Sequence, residues 1–157
     1  MSVSEKLLSL LKQQNVRYEV LPHPKAYTAQ EVAHSLHTSG KVCAKAVIAV
    51  VDGKYKMVVV PAPHKVNLSK LKDVLKAADV HLAREDDLRT LFPDSELGAE
   101  PALGNLYNMP VVVAWQLAEK EDIIFNAGSH TECVKMTYQD YEKFTNPIVG
   151  DISEIPI

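Results

Sequence analysis

Lys45 stands in Val42-Cys43-Ala44-Lys45-Ala46-Val47-Ile48-Ala49-Val50-Val51, a run otherwise made of small and apolar side chains. Runs rich in Val and Ile form largely buried strands. An ammonium buried without a partner is costly, so it pairs, loses its proton or meets water in a cleft. At the mouth of a cleft it can hold an anionic group or steady a charge that develops during reaction. A plainer reading stays open, in which Lys45 lies in the strand's first turn and snorkels to solvent. A second segment is Gly98-Ala99-Glu100-Pro101. Its glycine allows backbone N–H groups to approach a ligand, and its proline stiffens the chain. Rigid N–H groups suit an oxyanion or a carbonyl, although a lone Gly-x-x-Pro is also an ordinary surface turn. The third segment, Asn126-Ala127-Gly128-Ser129-His130, reads as a strand end followed by a break. It either presents side chains into a pocket or is a β-turn with an exposed histidine.

Other combinations carry less. His34 and His37 have helical i, i+3 spacing, but no third ligand accompanies them, so they read as solvent-facing and no metal is expected. Cys133 lies three residues from His130, yet a Cys–His nucleophile pair is defined by geometry rather than spacing. The sequence has no G-x-S-x-G elbow, no P-loop, no G-x-G-x-x-G and no H-E-x-x-H.

The elements that must position these groups are legible in outline. Ser2 and Glu5 form a capping box for a first helix, whose apolar face is Leu7, Leu8, Leu10 and Leu11. Residues 17–21 alternate as a strand, stopped by Pro22 and Pro24. Thr28 and Glu31 cap a second helix running to Leu36. The strand of Lys45 turns at Asp52-Gly53 into a returning strand, 55–60. Asn67 caps a helix with Leu68, Leu71, Val74 and Leu75 on its apolar face. A short strand at 80–82 and an acidic-started helix at 85–91 follow. Residues 92–110 form a long irregular stretch with three prolines and two glycines, a length that usually serves function. Strands at 111–115, 122–127 and 133–136 precede a helix capped by Thr137, and 145–157 reads as a tail without a period. This order predicts an α/β fold: one layered domain over 1–157, with a mixed, mostly antiparallel sheet flanked by helices.

A length of 157 residues, 46% hydrophobic and 24% charged, is ordinary for a soluble globular domain. No apolar stretch approaches a membrane span, and the N-terminus lacks a signal core. Cys43 and Cys133 make no disulfide framework and read as buried packing, which suits a cytoplasmic protein. Charge is uneven: residues 1–76 carry +7 and residues 77–157 carry −10. The basic half is either a footprint for a polyanion such as RNA or interleaves with the acidic half on the folded surface.

Taken in order, Tyr27-Thr28-Ala29-Gln30-Glu31, Val42-Cys43-Ala44-Lys45, the 94–104 loop and Asn126-Ala127-Gly128-Ser129-His130 resemble the YbaK/prolyl-tRNA synthetase editing-domain family of aminoacyl-tRNA deacylases. The resemblance covers nearly the whole chain. It departs in the loop, where the family's Gly-x-x-x-Pro is here Gly98 to Pro101 with two residues between; Pro101 to Gly104 keeps the family's proline, spacer and glycine. The resemblance implies hydrolysis of the ester of a mischarged aminoacyl-tRNA by water, without a protein nucleophile, metal or cofactor. It implies that Lys45 is catalytic and holds the terminal adenosine or the ester end. Substrate contacts would come from Thr28, Gly98, Ala99, Pro101, Gly104, Asn126, Gly128, Ser129 and His130, with His130 shaping the aminoacyl pocket. A histidine after Ala-Gly-Ser resembles the branch that clears alanine from proline tRNA, so Ala-tRNA(Pro) ranks first and Cys-, Ser- or Thr-tRNA behind. The implied partners are the tRNA acceptor end, with prolyl-tRNA synthetase or an elongation factor, and neither DNA nor membrane; the chain would edit in trans. A noncatalytic tRNA- or synthetase-binding module, and a hydrolase of a small anionic ester, are the competing readings.

Overall fold

The computed structural model describes residues 5–36 and 40–156. The Ser2–Glu5 capping box and the His34–His37 pair each include a residue outside those described. Helix α1 (Glu5–Gln13) buries Leu7 and Leu11, one turn apart on one face, as its leucine spacing predicts. Strand β1 (Glu19–Pro22) leads into helix α2 (Ala29–Ser35), capped by Thr28, whose Oγ1 accepts the Glu31 N–H. Strands β2 (Ala44–Val51) and β3 (Lys54–Pro61) form a hairpin. Its turn residues, Asp52 and Gly53, both have positive φ (49° and 82°), the two-residue geometry that Asp-Gly favours. Strand β4 (Lys65–Val66), helix α3 (Leu68–Leu75, capped by Asn67), strand β5 (Val80–Leu82) and helix α4 (Glu85–Leu91) follow.

The remaining elements are a 3₁₀ turn (Gly104–Tyr107), β6 (Val111–Ala114), α5 (Trp115–Ala118), β7 (Asp122–Ser129), β8 (Glu132–Thr137), α6 (Tyr138–Thr145), β9 (Ile148–Gly150) and β10 (Ser153–Glu154). Three sheets result: β5-β2-β3-β6-β9, β1-β8-β7 and β10-β4. Only β3–β6 and β6–β9 pair in parallel, so the fold is α/β with mixed, mostly antiparallel pairing, as its element order predicts.

Strand β3 explains its own composition. Met57 and Val59 face a core completed by Leu7, Leu11, Phe125 and Tyr141, while Val58 and Val60 face a second core under Leu71 and Ile152. A strand covered on both faces reads as a continuous apolar run. Strand β2 is less uniform: it pairs Lys45 opposite Val60, and Lys45 is half-buried.

Several boundaries differ from the sequence reading. Strand β1 starts at Glu19 and includes Pro22, which pairs opposite Glu132 at its end instead of stopping the strand before it. Trp115 opens helix α5 instead of ending a strand. Gly128 and Ser129 continue strand β7 through a register shift between Asn126 and Ser129, with Gly128 at φ 99°. A bulge absorbs the break that the glycine suggested, and the chain turns at His130-Thr131. The segment read as a tail is packed: β9 extends the five-stranded sheet and β10 pairs with β4, burying Ile152 and Ser153.

The irregular stretch is also packed. Ala99, Ala102 and Leu103 are fully buried, and Tyr141, itself buried in α6, donates its hydroxyl to the Ala102 carbonyl at 2.6 Å. Among the described residues, no helix is long and apolar enough to cross a membrane.

Candidate functional site

Lys45 opens into a cavity of about 420 Å³ whose walls include Tyr27, Thr28, Gln30, His64, Gly98 and Asn126. Four elements meet there: the start of β2, the start of α2, the β3–β4 turn and β7, with the irregular stretch closing one side. Lys45 makes no hydrogen bond or ion pair with any described residue, and burial holds its pKa below the ordinary 10.5. A half-buried ammonium without a protein partner is poised to take an anionic or carbonyl oxygen. A larger groove of about 560 Å³ beside β1 and β8 lacks this property, because its Lys135 lies 4.0 Å from Asp122.

The remaining residues named from the sequence divide between wall and scaffold. Thr28 lies in the wall while its hydroxyl is committed to capping α2. Asn126 is 8% exposed and lies in the wall, with its Oδ1 3.8 Å from the Cys133 thiol. Gly98 lies in the wall at φ 87°, a backbone that only glycine adopts readily. Its N–H donates to the Glu100 carboxylate at 3.0 Å, and the Ala99 N–H donates to the Glu96 carbonyl. The expected free N–H groups of this loop are therefore already paired.

His130 stands behind the wall. Its ring is 6% exposed and bridges the Ala26 carbonyl (Nδ1, 3.1 Å) and the Leu97 carbonyl (Nε2, 3.0 Å), with the Tyr27 ring 4.9 Å away. It holds the Tyr27 segment and the Gly98 loop at a fixed separation. Gly128 secures the same loop from below, donating to the Ala99 carbonyl and accepting the Glu96 N–H. Ser129 bonds Thr131 within the β7–β8 turn. Ala99, Pro101 and Gly104 are buried in the loop, away from the cavity. A Cβ on Gly104 would collide with the Met109 carbonyl oxygen and with Val111, so close packing is the reason for that glycine.

Some wall residues are not singled out by the sequence: Tyr27 and Gln30 enter only within the 27–31 segment, and His64 not at all. His64 is the most telling. Its Nδ1 lies 2.8 Å from Ser153 Oγ, supplied by the packed C-terminal strand, and burial together with the Lys45 charge holds its pKa below 6.5. Tyr27 is 59% exposed at the rim, with Lys25 Nζ 5.4 Å from its ring centre. These groups come together only through tertiary pairing, which a linear reading cannot see.

A smaller pocket of about 170 Å³ adjoins the cavity and shares Ala46 and Gly98 with it. Val47, Ile48, Leu82, Ala83 and Leu88 make it apolar, and Glu100 supplies its one charge.

Nucleophilic and metal chemistry find little support. Cys133 sits 3.4 Å from His23 rather than beside His130, and burial pushes its thiol up to about 12. Burial pushes the Cys43 thiol up to about 11. Thiols held protonated are poor nucleophiles. No group of three His, Cys, Asp or Glu side chains suited to a metal occurs among the described residues. The charge halves interleave in part: Lys65 pairs with Glu154 at 3.3 Å, and Lys70 with Asp151 at 3.1 Å.

Proline–tRNA ligase of Staphylococcus saprophyticus is 33% identical over 91 residues, 57% of this chain and 15% of that one. The Geobacillus kaustophilus ligase is 39% identical over 77 residues, 48% of this chain and 14% of that one. The chain thus spans about one-seventh of the length of these relatives. A crystal structure described as a candidate trans-editing enzyme for prolyl tRNA synthetase has a TM-score of 0.83 at 18% identity, covering 98% of this chain and 99% of the other. A hypothetical protein reaches 0.85 at 23% identity, covering 96% and 100%. Both show the same fold. The model of the aminoacyl-tRNA editing domain matches residues 23–144, a span holding Lys45, His64, the loop and His130, and the chain belongs to that family.

Proposed function

We propose that the protein hydrolyses the ester bond of mischarged aminoacyl-tRNA, with Ala-tRNA(Pro) as its principal substrate. The observation that carries this reading is the half-buried, unpaired ammonium of Lys45 in a cavity walled by Gly98 and Asn126. The acceptor end of the tRNA enters the cavity with its ester beside Lys45. Water attacks the carbonyl carbon, and the ammonium steadies the oxyanion as it forms. Collapse of the intermediate breaks the bond to the ribose oxygen. The protonated state of both thiols supports attack by water rather than through an acyl-enzyme.

The 170 Å³ pocket takes the amino-acid side chain. Its mostly apolar wall suits a methyl group better than the hydroxyl or thiol of Ser, Thr or Cys, so Cys-, Ser- and Thr-tRNA rank behind. Similarity to proline–tRNA ligases supports tRNA(Pro) as the carrier. In this reading prolyl-tRNA synthetase or an elongation factor hands over the substrate in the cytoplasm. The candidate trans-editing enzyme that this chain matches over almost its full length supports action in trans.

One observation favours a second reading. The Gly98 and Ala99 N–H groups are paired within the loop, which suits a module that binds charged tRNA without turnover. A panel of mischarged tRNAs decides. The account predicts release of alanine from Ala-tRNA(Pro) well above the rate without protein. Equal binding of charged and uncharged tRNA with no release on any substrate would establish the binding module instead.

A further inference from the structure

Glu100 is 7% exposed and is among the residues lining the small apolar pocket. One carboxylate oxygen accepts the Gly98 N–H at 3.0 Å. No ion pair among the described residues includes Glu100. A nearby polar group on the 3₁₀ turn is the neutral Tyr107 phenol, whose pKa is raised chiefly by burial and to a lesser degree by the charges of Asp94 and Glu100. Its second oxygen has no hydrogen-bond or ion-pair partner among the described residues, so it is free to take a cation that arrives with a ligand. The pocket adjoins the Lys45 cavity at Ala46 and Gly98, which places a short cationic substituent of a ligand held at Lys45 next to it.

We infer that Glu100 binds the free α-ammonium of the aminoacyl ester, so that the site distinguishes an unmodified aminoacyl group from an N-acylated one. The inference rests on the deacylase reading above. An α-ammonium sits one carbon from the ester carbonyl, so Cα carries both the methyl group and the ammonium into the smaller pocket, the methyl against its apolar wall and the ammonium at Glu100, while the carbonyl lies toward Lys45. The two charges then act as a pair of opposite poles. Lys45 attracts the carbonyl oxygen, and Glu100 attracts the nitrogen on the adjacent carbon. Nothing in a tRNA without its amino acid offers such a cation, so Glu100 also favours charged over uncharged tRNA.

The test compares Ala-tRNA(Pro) with N-acetyl-Ala-tRNA(Pro) on wild type and Glu100→Gln. Glutamine keeps an oxygen for the Gly98 N–H, so the loop retains its bond while the charge is lost. A charge-assisted hydrogen bond corresponds to about 10- to 100-fold in affinity. Wild type should therefore favour the free amine by about that factor in kcat/KM, and Glu100→Gln should bring the preference to within about threefold of unity. An undiminished preference in Glu100→Gln, or equal kcat/KM for the two substrates in wild type, overturns the inference while leaving the deacylase reading intact. Should the variant not fold, the wild-type ratio alone decides. No hydrolysis of either substrate by wild type overturns both.

Discussion

The two pockets that meet at Ala46 and Gly98 solve opposite problems with the same device. In the larger one a half-buried cation, Lys45, has no anion among the described residues; in the smaller one a buried anion, Glu100, has no cation. The first is roomy and ringed by polar groups, including His64, Gln30 and Asn126; the second is small and otherwise apolar. A folded chain tolerates each isolated charge because the surrounding cores carry the stability, with β3 buried on both faces. The difference teaches that the site is polarised before anything binds. In the proposed reaction the larger compartment receives an oxygen that gains negative charge, and the smaller one receives the methyl group together with the adjacent ammonium.

Substitutions can break or sharpen that contrast. The largest effect is expected at Lys45. Lys45→Ala should lower kcat by about 10²- to 10³-fold, the usual cost of losing a group that steadies an oxyanion, with an unchanged melting curve. A melting temperature that fell with activity would assign the lysine to the fold. Gly104→Ala should do the reverse. Its Cβ meets the Met109 backbone and Val111, so overpacking of about 1–3 kcal/mol should lower Tm by several degrees. Activity of the folded fraction should persist, because Gly104 lies outside both pockets; loss of activity without loss of Tm would return it to the site. Asn126→Ala removes one polar wall group and should cost about tenfold in kcat/KM, near the value of one hydrogen bond to a charged or developing charge.

The pH response is a smaller and more specific check. In the proposed reaction Lys45 works as an ammonium, so the protein's contribution should fall as pH rises through a pKa held below 10.5 by burial. After subtraction of spontaneous ester hydrolysis, Lys45→Arg should flatten that alkaline limb, since a guanidinium keeps its charge. An identical limb in the variant would assign the titration to another group. The smallest effect is expected at the surface: Lys65→Ala breaks an exposed pair with Glu154 and should change stability by less than about 1 kcal/mol.

The same contrast explains what the sequence disclosed. Lys45 was legible because a charge inside a Val- and Ile-rich strand violates a strong pattern. Thr28, Asn67 and Thr137 announced their helices by capping, and Asp52-Gly53 announced its hairpin. Glu100 violated nothing, since a glutamate in an irregular stretch is ordinary, and its burial follows from the Tyr141 anchor and the β7 bulge. His64 became a wall residue through β10, whose short pairing with β4 leaves no periodic trace. Gly128 suggested a break because glycine usually marks one, whereas here its positive φ serves a bulge that ties β7 to the loop. His130 was identifiable as a residue of consequence, but its placement behind the wall depends on two carbonyls far away in sequence.

The most direct test of the central claim is single-turnover release of alanine from Ala-tRNA(Pro) by wild type and Lys45→Ala at equal folded concentration. The account predicts rapid release by wild type and a loss of about 10²-fold or more in the variant. Equal rates in the two proteins, or none above background in wild type, would contradict it.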